Sequence, residues 1–514
     1  MSETGSVNRP GAILRFLSRR QEVWLIILLA LVVRLAAINS PYTSIHWIKQ
    51  LQIAPIAKNF YEDGYNILWP ETDYSADRPG YIEIEFQLVA FVTALFYPIC
   101  GIHEWVGRAV TVSFSIGSLI LLYGLLRRYL GDRPATFGLL FFAFAPANWY
   151  FSRVLMSEPL MLFFSIGVVY FFSLWLGVPS SAPQPGRSGL YFGLAALCGA
   201  LAFLVKLPTL VLVFPLLFIA YRRYGWALFR QPILYLFAIL TVLPAAAYYH
   251  HAQVNIGAHY FTVGVGFGGG MWASLEHFLR PGNYSLMMQR LLKDHLTAVG
   301  FVLLPLGLLA CDDRGRFRWN LFHIWLGAIF LYFIVVAGGN LRQTYYQLPL
   351  LIPASGLIGV GWDRISRIAN VSRLLTPLLV ALFLVLAVWG VQPFYEQQVP
   401  VIAAAADLDQ IDPAKQSVIV FPPGFGCLYY FERPGWVGRE GFGKPPSQVA
   451  PEDTPSPEYV TNRMKRGARW AVYFETEGPG TRPDLKKYLE QIYSVALATE
   501  GYTIYELSAP KSGS

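Results

Sequence analysis

Between Trp24 and Gln392 the chain alternates long apolar runs with short breaks that carry arginine, glycine or proline. A membrane-crossing helix needs about 20 mostly apolar residues. Runs of that kind at 23–39, 109–126, 134–151, 157–176, 189–205, 207–221, 231–249, 297–311, 319–338, 345–361 and 374–392 predict about eleven transmembrane helices. The run Phe86–Cys100 is shorter, at about 15 residues, and predicts a helix lying in the interface instead. After Gln392 the pattern changes. Strand-like stretches at Ser417–Phe421, Trp470–Phe474 and Tyr502–Leu507, a helix over Arg482–Ala496 and an extended proline-rich linker, Pro445–Pro457, predict a small α/β module. The expected division is a membrane unit over 1–392 and a soluble unit over 393–514.

Whether Phe86–Cys100 crosses the membrane decides the side of everything after it. Treating it as interfacial puts Arg127, Arg128, Arg133, Arg187, Arg222, Arg223, Arg230, Arg314, Arg316, Arg318, Arg364, Arg367 and Arg373 on the side of Arg15, Arg19 and Arg20, the positive-inside arrangement. The number of spans is then odd. The segments 40–108 and 250–296 and the whole C-terminal unit fall outside the cytoplasm, so the chemistry is expected there.

Composition agrees with this reading: 54% of the 514 residues are hydrophobic and 14% charged, against about 25% charged in ordinary soluble domains. The net charge of +8 sits in short clusters between apolar runs rather than on one face, which reads as topology signal and not as a nucleic-acid surface. The four cysteines show no CxxC or zinc spacing; Cys100, Cys198 and Cys311 lie in or beside apolar runs, and Cys427 has no evident partner.

Ionisable residues at membrane depth are costly and ask for a reason. Glu158 opens the fourth span, Lys206 lies between the fifth and sixth, Arg34 is in the outer half of the first and Arg342 follows the ninth. All four fall at outer helix ends under the topology above, where they are expected to converge on one cavity. Taken singly, the basic residues also read as lipid anchors; a carboxylate followed by Pro159 gains little in that role. In the first outer loop, Glu83 and Glu85 alternate with Ile82, Ile84 and Phe86 and can point into a cavity. The other carboxylates there (Glu62, Asp63, Glu71, Asp73, Asp77, Glu104) read as solvated, and Trp47, Phe60, Tyr61, Tyr65, Trp69 and Tyr81 as an interfacial belt. The second outer loop holds His250, His251 and His259 ahead of Gly264, Gly266, Gly268, Gly269 and Gly270. A glycine-rich loop can cradle phosphate, but this one matches no nucleotide pattern and reads first as plain flexibility.

The stretches Ile56-Ala57-Lys58-Asn59-Phe60-Tyr61-Glu62-Asp63-Gly64, Gly101-Ile102-His103-Glu104-Trp105-Val106-Gly107-Arg108 and Ser157-Glu158-Pro159 resemble the GT-C superfamily of membrane glycosyltransferases. Within it they are most similar to the protein mannosyltransferases and lipid A aminoarabinose transferases. Val205-Lys206-Leu207-Pro208, Tyr345-Tyr346-Gln347-Leu348-Pro349 and Leu428-Tyr429-Tyr430-Phe431-Glu432-Arg433-Pro434-Gly435-Trp436 extend the resemblance along the chain in the family's order. The resemblance implies an α-helical polytopic GT-C fold with juxtamembrane helices in the first outer loop, in a bacterial inner membrane. It also implies transfer of a hexosyl or pentosyl group, with inversion, from a polyprenyl-phosphate donor to a lipid, protein or glycan acceptor. One departure matters. Where the family's first loop usually carries an acidic residue, this chain has Gln52, and an amide cannot accept a proton at neutral pH. Where related enzymes have a lysine before paired prolines, this chain has Glu85-Phe86-Gln87, an inverted charge.

Such a transfer needs a base for the acceptor hydroxyl and cations for the departing phosphate. Glu158, Glu83 and Glu85 are the candidates for the first role, with Gln52 at the family's acidic position. Lys206, Arg342 and His250, with Tyr345 beside them, are the candidates for holding the lipid phosphate. A divalent metal on the carboxylates is compatible with the sequence but not required by it. Two other readings compete: a carbohydrate- or lipid-binding envelope-assembly protein on an inactive scaffold, suggested by Gln52, and a transporter, against which the lack of an internal repeat speaks.

Overall fold

The structure, a computed structural model, describes residues 21–76, 79–179, 187–262, 271–310, 319–368, 372–397, 399–421, 426–438, 455–475 and 482–510. Arg15, Arg19, Arg20, Asp77, Gly264, Gly266, Gly268, Gly269, Gly270, Cys311, Arg314, Arg316, Arg318 and most of the proline-rich linker lie outside the described residues.

Every predicted span falls on a helix. Among the described residues six helices are long and apolar enough to cross a membrane: Glu104–Leu130, Glu158–Leu176, Ser188–Val205, Leu207–Arg230, Pro232–Gly257 and Leu374–Tyr395. The others are shorter or broken: Gln21–Leu35, Asp132–Phe144 continued by Pro146–Phe151, Thr297–Leu308, Leu321–Val335 and Leu351–Ser366. The protein is an integral membrane protein. Phe86–Cys100 forms two short helices, Leu88–Ala94 and Tyr97–Cys100, neither long enough to cross. The segment before Thr297–Leu308 is helical too, and it meets that helix at 99°.

Lipid tails supply no hydrophobic drive between helices, so close backbone packing at small residues takes over. A Cβ at Gly307 would collide with the Leu357 carbonyl, and one at Gly359 with that of Pro134. These glycines bring Thr297–Leu308, Leu351–Ser366 and Asp132–Phe144 into backbone contact. At the C-terminal end of the first helix the last carbonyls lack helical partners, and buried arginines take them. Arg153 donates to Arg34 O (3.2 Å) and Ala37 O, and Arg108 donates to Ile38 O (2.9 Å), Ser40 O and Pro41 O (2.9 Å). The guanidinium charges also suit the negative end of the helix.

The segment 40–108, the first loop, begins at this staple with the Trp47–Glu62 helix and continues to β1, Ile82–Glu83. β1 pairs in parallel with β2, Phe261–Thr262, in register Ile82 with Phe261 and Glu83 with Thr262, so the segments 40–108 and 250–296 are joined at Glu83. The C-terminal region carries a five-stranded sheet made of β3 (Val418–Phe421), β4 (Gly435–Val437), β5 (Trp470–Phe474), β6 (Tyr493–Ala498) and β7 (Tyr502–Pro510), in the order β4-β3-β5-β7-β6. β3 is parallel to β4 and β5, and β7 antiparallel to β5 and β6. The helix predicted over Arg482–Ala496 stops at Ile492, because Tyr493–Ala498 pairs with β7 as a hairpin. β4 has no counterpart among the predicted strands; three residues between a turn and a glycine carry too little pattern. This sheet packs on the first loop: Ser75 bridges Trp436, Val437 N donates to Tyr74 O (3.3 Å) and Tyr42 N to the Tyr430 hydroxyl (2.8 Å).

Candidate active site

Glu158 is the first residue of its helix and is 2% exposed. Pro159 at the first turn costs the helix no hydrogen bond, and the carboxylate sits at the positive end of the helix dipole. Lys206 follows the last residue of Ser188–Val205 in extended conformation, at the negative end of that neighbouring helix. Both side chains are therefore placed by helix ends of matching polarity, and the Lys206 ammonium donates to Glu158 Oε1. A buried carboxylate or ammonium is tolerated in this form, paired and hydrogen-bonded.

The ammonium also lies over two rings, 5.0 Å from the Tyr345 centroid and 5.3 Å from that of Tyr346. Glu158, Lys206 and both tyrosines line a cleft, partly open to its surroundings, that continues along Met161, Ser165, Leu212 and Trp325. Its walls are apolar and aromatic, with the charge gathered at Glu158 and Lys206. Tyr345 is held in turn by His46, edge-on at 5.0 Å, and by Phe151 at 5.9 Å. His46 has φ of +57°, a conformation a non-glycine side chain adopts at a cost of about 1–3 kcal/mol. Its surroundings hold it there: Ser44 bonds the Tyr150 hydroxyl (2.7 Å), which donates to Ile45 O (3.1 Å). Burial, reinforced by Arg290, lowers the His46 pKa to about 4 against the opposing influence of the Gln343 side chain, so the imidazole is neutral at neutral pH.

The first loop brings a second ion pair to the same place. Lys49 Nζ lies 3.4 Å from Glu85 Oε1. Burial on its own would raise the Glu85 carboxyl, but Lys49 and Lys206 outweigh it and hold the pKa below the ordinary carboxylate value. Glu83 is buried, accepts from the Thr262 hydroxyl and sits at the β1–β2 bridge.

The structure thus gathers Glu158, Lys206, Tyr345 and Glu85, with Glu83 two residues away on the loop junction. Gln52 is buried on the Lys49 helix, its Nε2 without a hydrogen-bond partner, and is not part of the cavity lining. Arg342 is exposed at the end of Ala337–Arg342 and acts electrostatically on Tyr346. His250 is exposed in the last turn of Pro232–His251. It is its neighbour His251 that meets the first loop, through Leu68 O (3.1 Å) and the Trp69 ring. Arg34 does not join the cavity: it is 0% exposed and spends its donors on Ser115, Ser152, Ala30 O and Ala143 O. Asp73 is half-buried and accepts from Asn59 (3.0 Å), and its desolvation raises its pKa. Lys49 and Tyr346 were not singled out by sequence reasoning. The signal for Lys49 was the inverted charge at Glu85, since a buried carboxylate asks for a cation. Among the described residues no three His, Cys, Asp or Glu side chains gather closely enough to hold a metal ion, and Glu85 and Glu158 are each engaged by a lysine.

A protein-family profile described as dolichyl-phosphate-mannose-protein mannosyltransferase matches residues 87–250. The chain superposes on ArnT from Cupriavidus metallidurans bound to undecaprenyl phosphate with a TM-score of 0.64 and 18% identity, over 95% of this chain and 98% of that one. This chain has the GT-C fold. The same GT-C framework is shared with two more distant structures. One is the archaeal oligosaccharyltransferase AglB from Archaeoglobus fulgidus, in complex with an inhibitory peptide and a dolichol-phosphate (TM-score 0.53, 14% identity, 95% of this chain and 74% of that one). The other is the arabinofuranosyltransferase AftD from Mycobacteria (0.54, 15%, 95% and 41%). No curated protein matches the sequence.

Proposed function

We propose that this chain is a membrane glycosyltransferase that moves a sugar, with inversion, from a polyprenyl-phosphate carrier to a lipid, protein or glycan acceptor at the extracytoplasmic face. The observation that carries this reading is the Lys206–Glu158 pair at the charged part of an otherwise apolar and aromatic cavity, with Glu85 acting on the same lysine. A carrier of this class has the same division, an apolar chain joined to a phosphate. The ArnT and AglB structures, bound to undecaprenyl phosphate and to a dolichol-phosphate, lend the fold-level support. In the displacement the acceptor oxygen attacks the anomeric carbon as its proton passes to a carboxylate, and the bond to the phosphate oxygen breaks with its electron pair. Lys206 is placed to stabilise the phosphate, with Arg342 in the second rank, and Glu158, Glu83 and Glu85 are the carboxylates within the site's reach. No step is derived through a metal ion.

The test is sugar transfer by the purified full-length protein from synthetic polyprenyl-phosphate hexoses and pentoses. Turnover with at least one donor is expected; none with any donor, together with no binding of a polyprenyl phosphate, would sink the reading.

The topology belongs to the same proposal: a membrane unit over 1–392 and an extracytoplasmic unit over 393–514, following from an odd number of spans and the arginine distribution. A reporter fused after Ser514 is expected to read extracytoplasmic. Cytoplasmic activity at that fusion would place the cavity on the wrong face for the reaction.

A further inference from the structure

Two ion pairs, Lys49–Glu85 and Lys206–Glu158, lie near enough for Lys206 to act on Glu85 as well, so that the four charges form one alternating set, here called a row. Lys49 lies 3.4 Å from Glu85, Lys206 bonds Glu158, and Lys206 also acts on Glu85. The members come from the first-loop helix, the segment after β1 and the facing ends of two helices, so only the tertiary fold assembles them. The row sums to zero, which leaves no standing surplus of positive charge for a phosphate. A site built only to bind an anion would gain nothing from a carboxylate that both of its cations already attract.

We propose that Glu85 is a place-holder for the carrier phosphate: Lys49 and Lys206 neutralise Glu85 before the reaction and the departing phosphate after it, and Glu85 takes the acceptor's proton in between. This rests on the glycosyl-transfer reading above and deepens it. The donor is a phosphodiester with one negative charge, and the leaving polyprenyl phosphate is a monoester that carries two. As the acceptor O–H proton moves to Glu85, the carboxylate charge disappears. As the bond from the anomeric carbon to the phosphate oxygen breaks, one negative charge appears on the phosphate. The total is unchanged, and the two ammoniums shift their interaction from Glu85 to the phosphate. Stabilisation that grows as the charge moves lowers the barrier, whereas equal attraction to donor and product would not.

Glu158 has a different part, since it is the carboxylate that holds Lys206 by a direct hydrogen bond. The other groups that act on Glu85 are the hydroxyls of Tyr248, Tyr249, Tyr345 and Tyr346. They are uncharged and do not replace a lysine. Lys49 and Glu85 are thereby assigned to the reaction although neither lines the cavity bounded by Glu158, Lys206, Tyr345 and Tyr346; Glu85 reaches it through its interaction with Lys206. Lys49 also accounts for the inverted charge at position 85: the cation is present, but on the neighbouring helix.

The experiment uses the full-length protein in lipid nanodiscs and two readouts, binding of a synthetic polyprenyl monophosphate and sugar transfer from the matching phosphodiester donor. Glu85→Gln removes the competing negative charge while keeping size. It is expected to bind the monophosphate about tenfold more tightly, the worth of one charge-assisted contact, and to transfer sugar about a hundredfold or more slowly. Lys49→Met is expected to weaken monophosphate binding about tenfold, and Lys49→Arg to restore most of it. A merely structural role for Glu85 would give weaker binding and weaker transfer together. A folded Glu85→Gln that binds the monophosphate no more tightly than the parent would overturn the proposal, as would a folded Lys49→Met with unchanged affinity. If the parent transfers sugar while these variants behave so, only the place-holder inference falls. If the parent neither binds the monophosphate nor transfers sugar, the glycosyl-transfer reading falls with it.

Discussion

Replacing Glu158 by glutamine is expected to lower sugar transfer by about a hundred- to ten-thousandfold, the range for losing a group that sets the protonation chemistry. The substitution keeps size and hydrogen-bonding capacity and removes only the charge. Glu158 is 2% exposed and takes a hydrogen bond from Lys206. Without its charge, Lys206 has Glu85 as its remaining carboxylate, so the ammonium is drawn from the phosphate position and Glu85 becomes a weaker base. Gln52→Ala, on the helix behind, is expected to act through binding with a smaller effect on turnover, since its amide is neither titratable nor part of the cavity lining. Turnover of purified, folded variants checks both. Undiminished transfer by Glu158→Gln would remove Glu158 from the mechanism and leave Glu83 and Glu85 as the carboxylates to pursue.

Removing the other half of the pair has a different signature. Lys206→Ala is expected to weaken polyprenyl monophosphate binding by about 1.5–3 kcal/mol through loss of a charge-assisted hydrogen bond. It should also lower stability by about 3–5 kcal/mol, because it leaves a buried carboxylate uncompensated. The double variant Glu158→Gln with Lys206→Met removes both charges and fills the space, and is expected to recover most of the stability while remaining inactive. Thermal unfolding in detergent, measured beside ligand binding, separates the two effects. If Lys206→Ala binds the monophosphate as tightly as the parent, Lys206 is a structural partner of Glu158 and the phosphate contact lies elsewhere, with Arg342 first in line.

These expectations depend unequally on sequence and structure. Glu158 was legible because a carboxylate and a proline at the entrance of an apolar run have few other reasons to be there. Lys206 was legible from its place between two runs. Arg34 looked identical by that criterion, yet its side chain turns into the bundle and bonds two serines and two carbonyls. Sequence reports the depth of a charge along its helix; it does not report which way round the helix the side chain points, or which neighbours have polar atoms to spare. His250 and His251 make the same point one residue apart, since only His251 faces Leu68 and Trp69.

The membrane character, the positions of the helices and the strand-rich tail follow from local information. About 20 apolar residues have only one economical way to satisfy their backbone in lipid, and that is to form a helix. The end of the helix over Pro483–Ile492 was not available in that way, because Tyr493–Ala498 becomes a strand only by pairing with β7. The row of charges is likewise a product of assembly. Lys49 and Glu85 are far apart in the chain, and Lys206 and Glu158 farther still, so no local pattern relates them. Helix ends, a two-residue parallel bridge between the segments 40–108 and 250–296 and the packing of the first-loop helix bring them together. The sequence by itself placed charged groups at the ends of the apolar runs; the tertiary structure alone decided which of them meet, because the cost of burying a charge is recovered only where an opposite charge arrives within hydrogen-bonding distance.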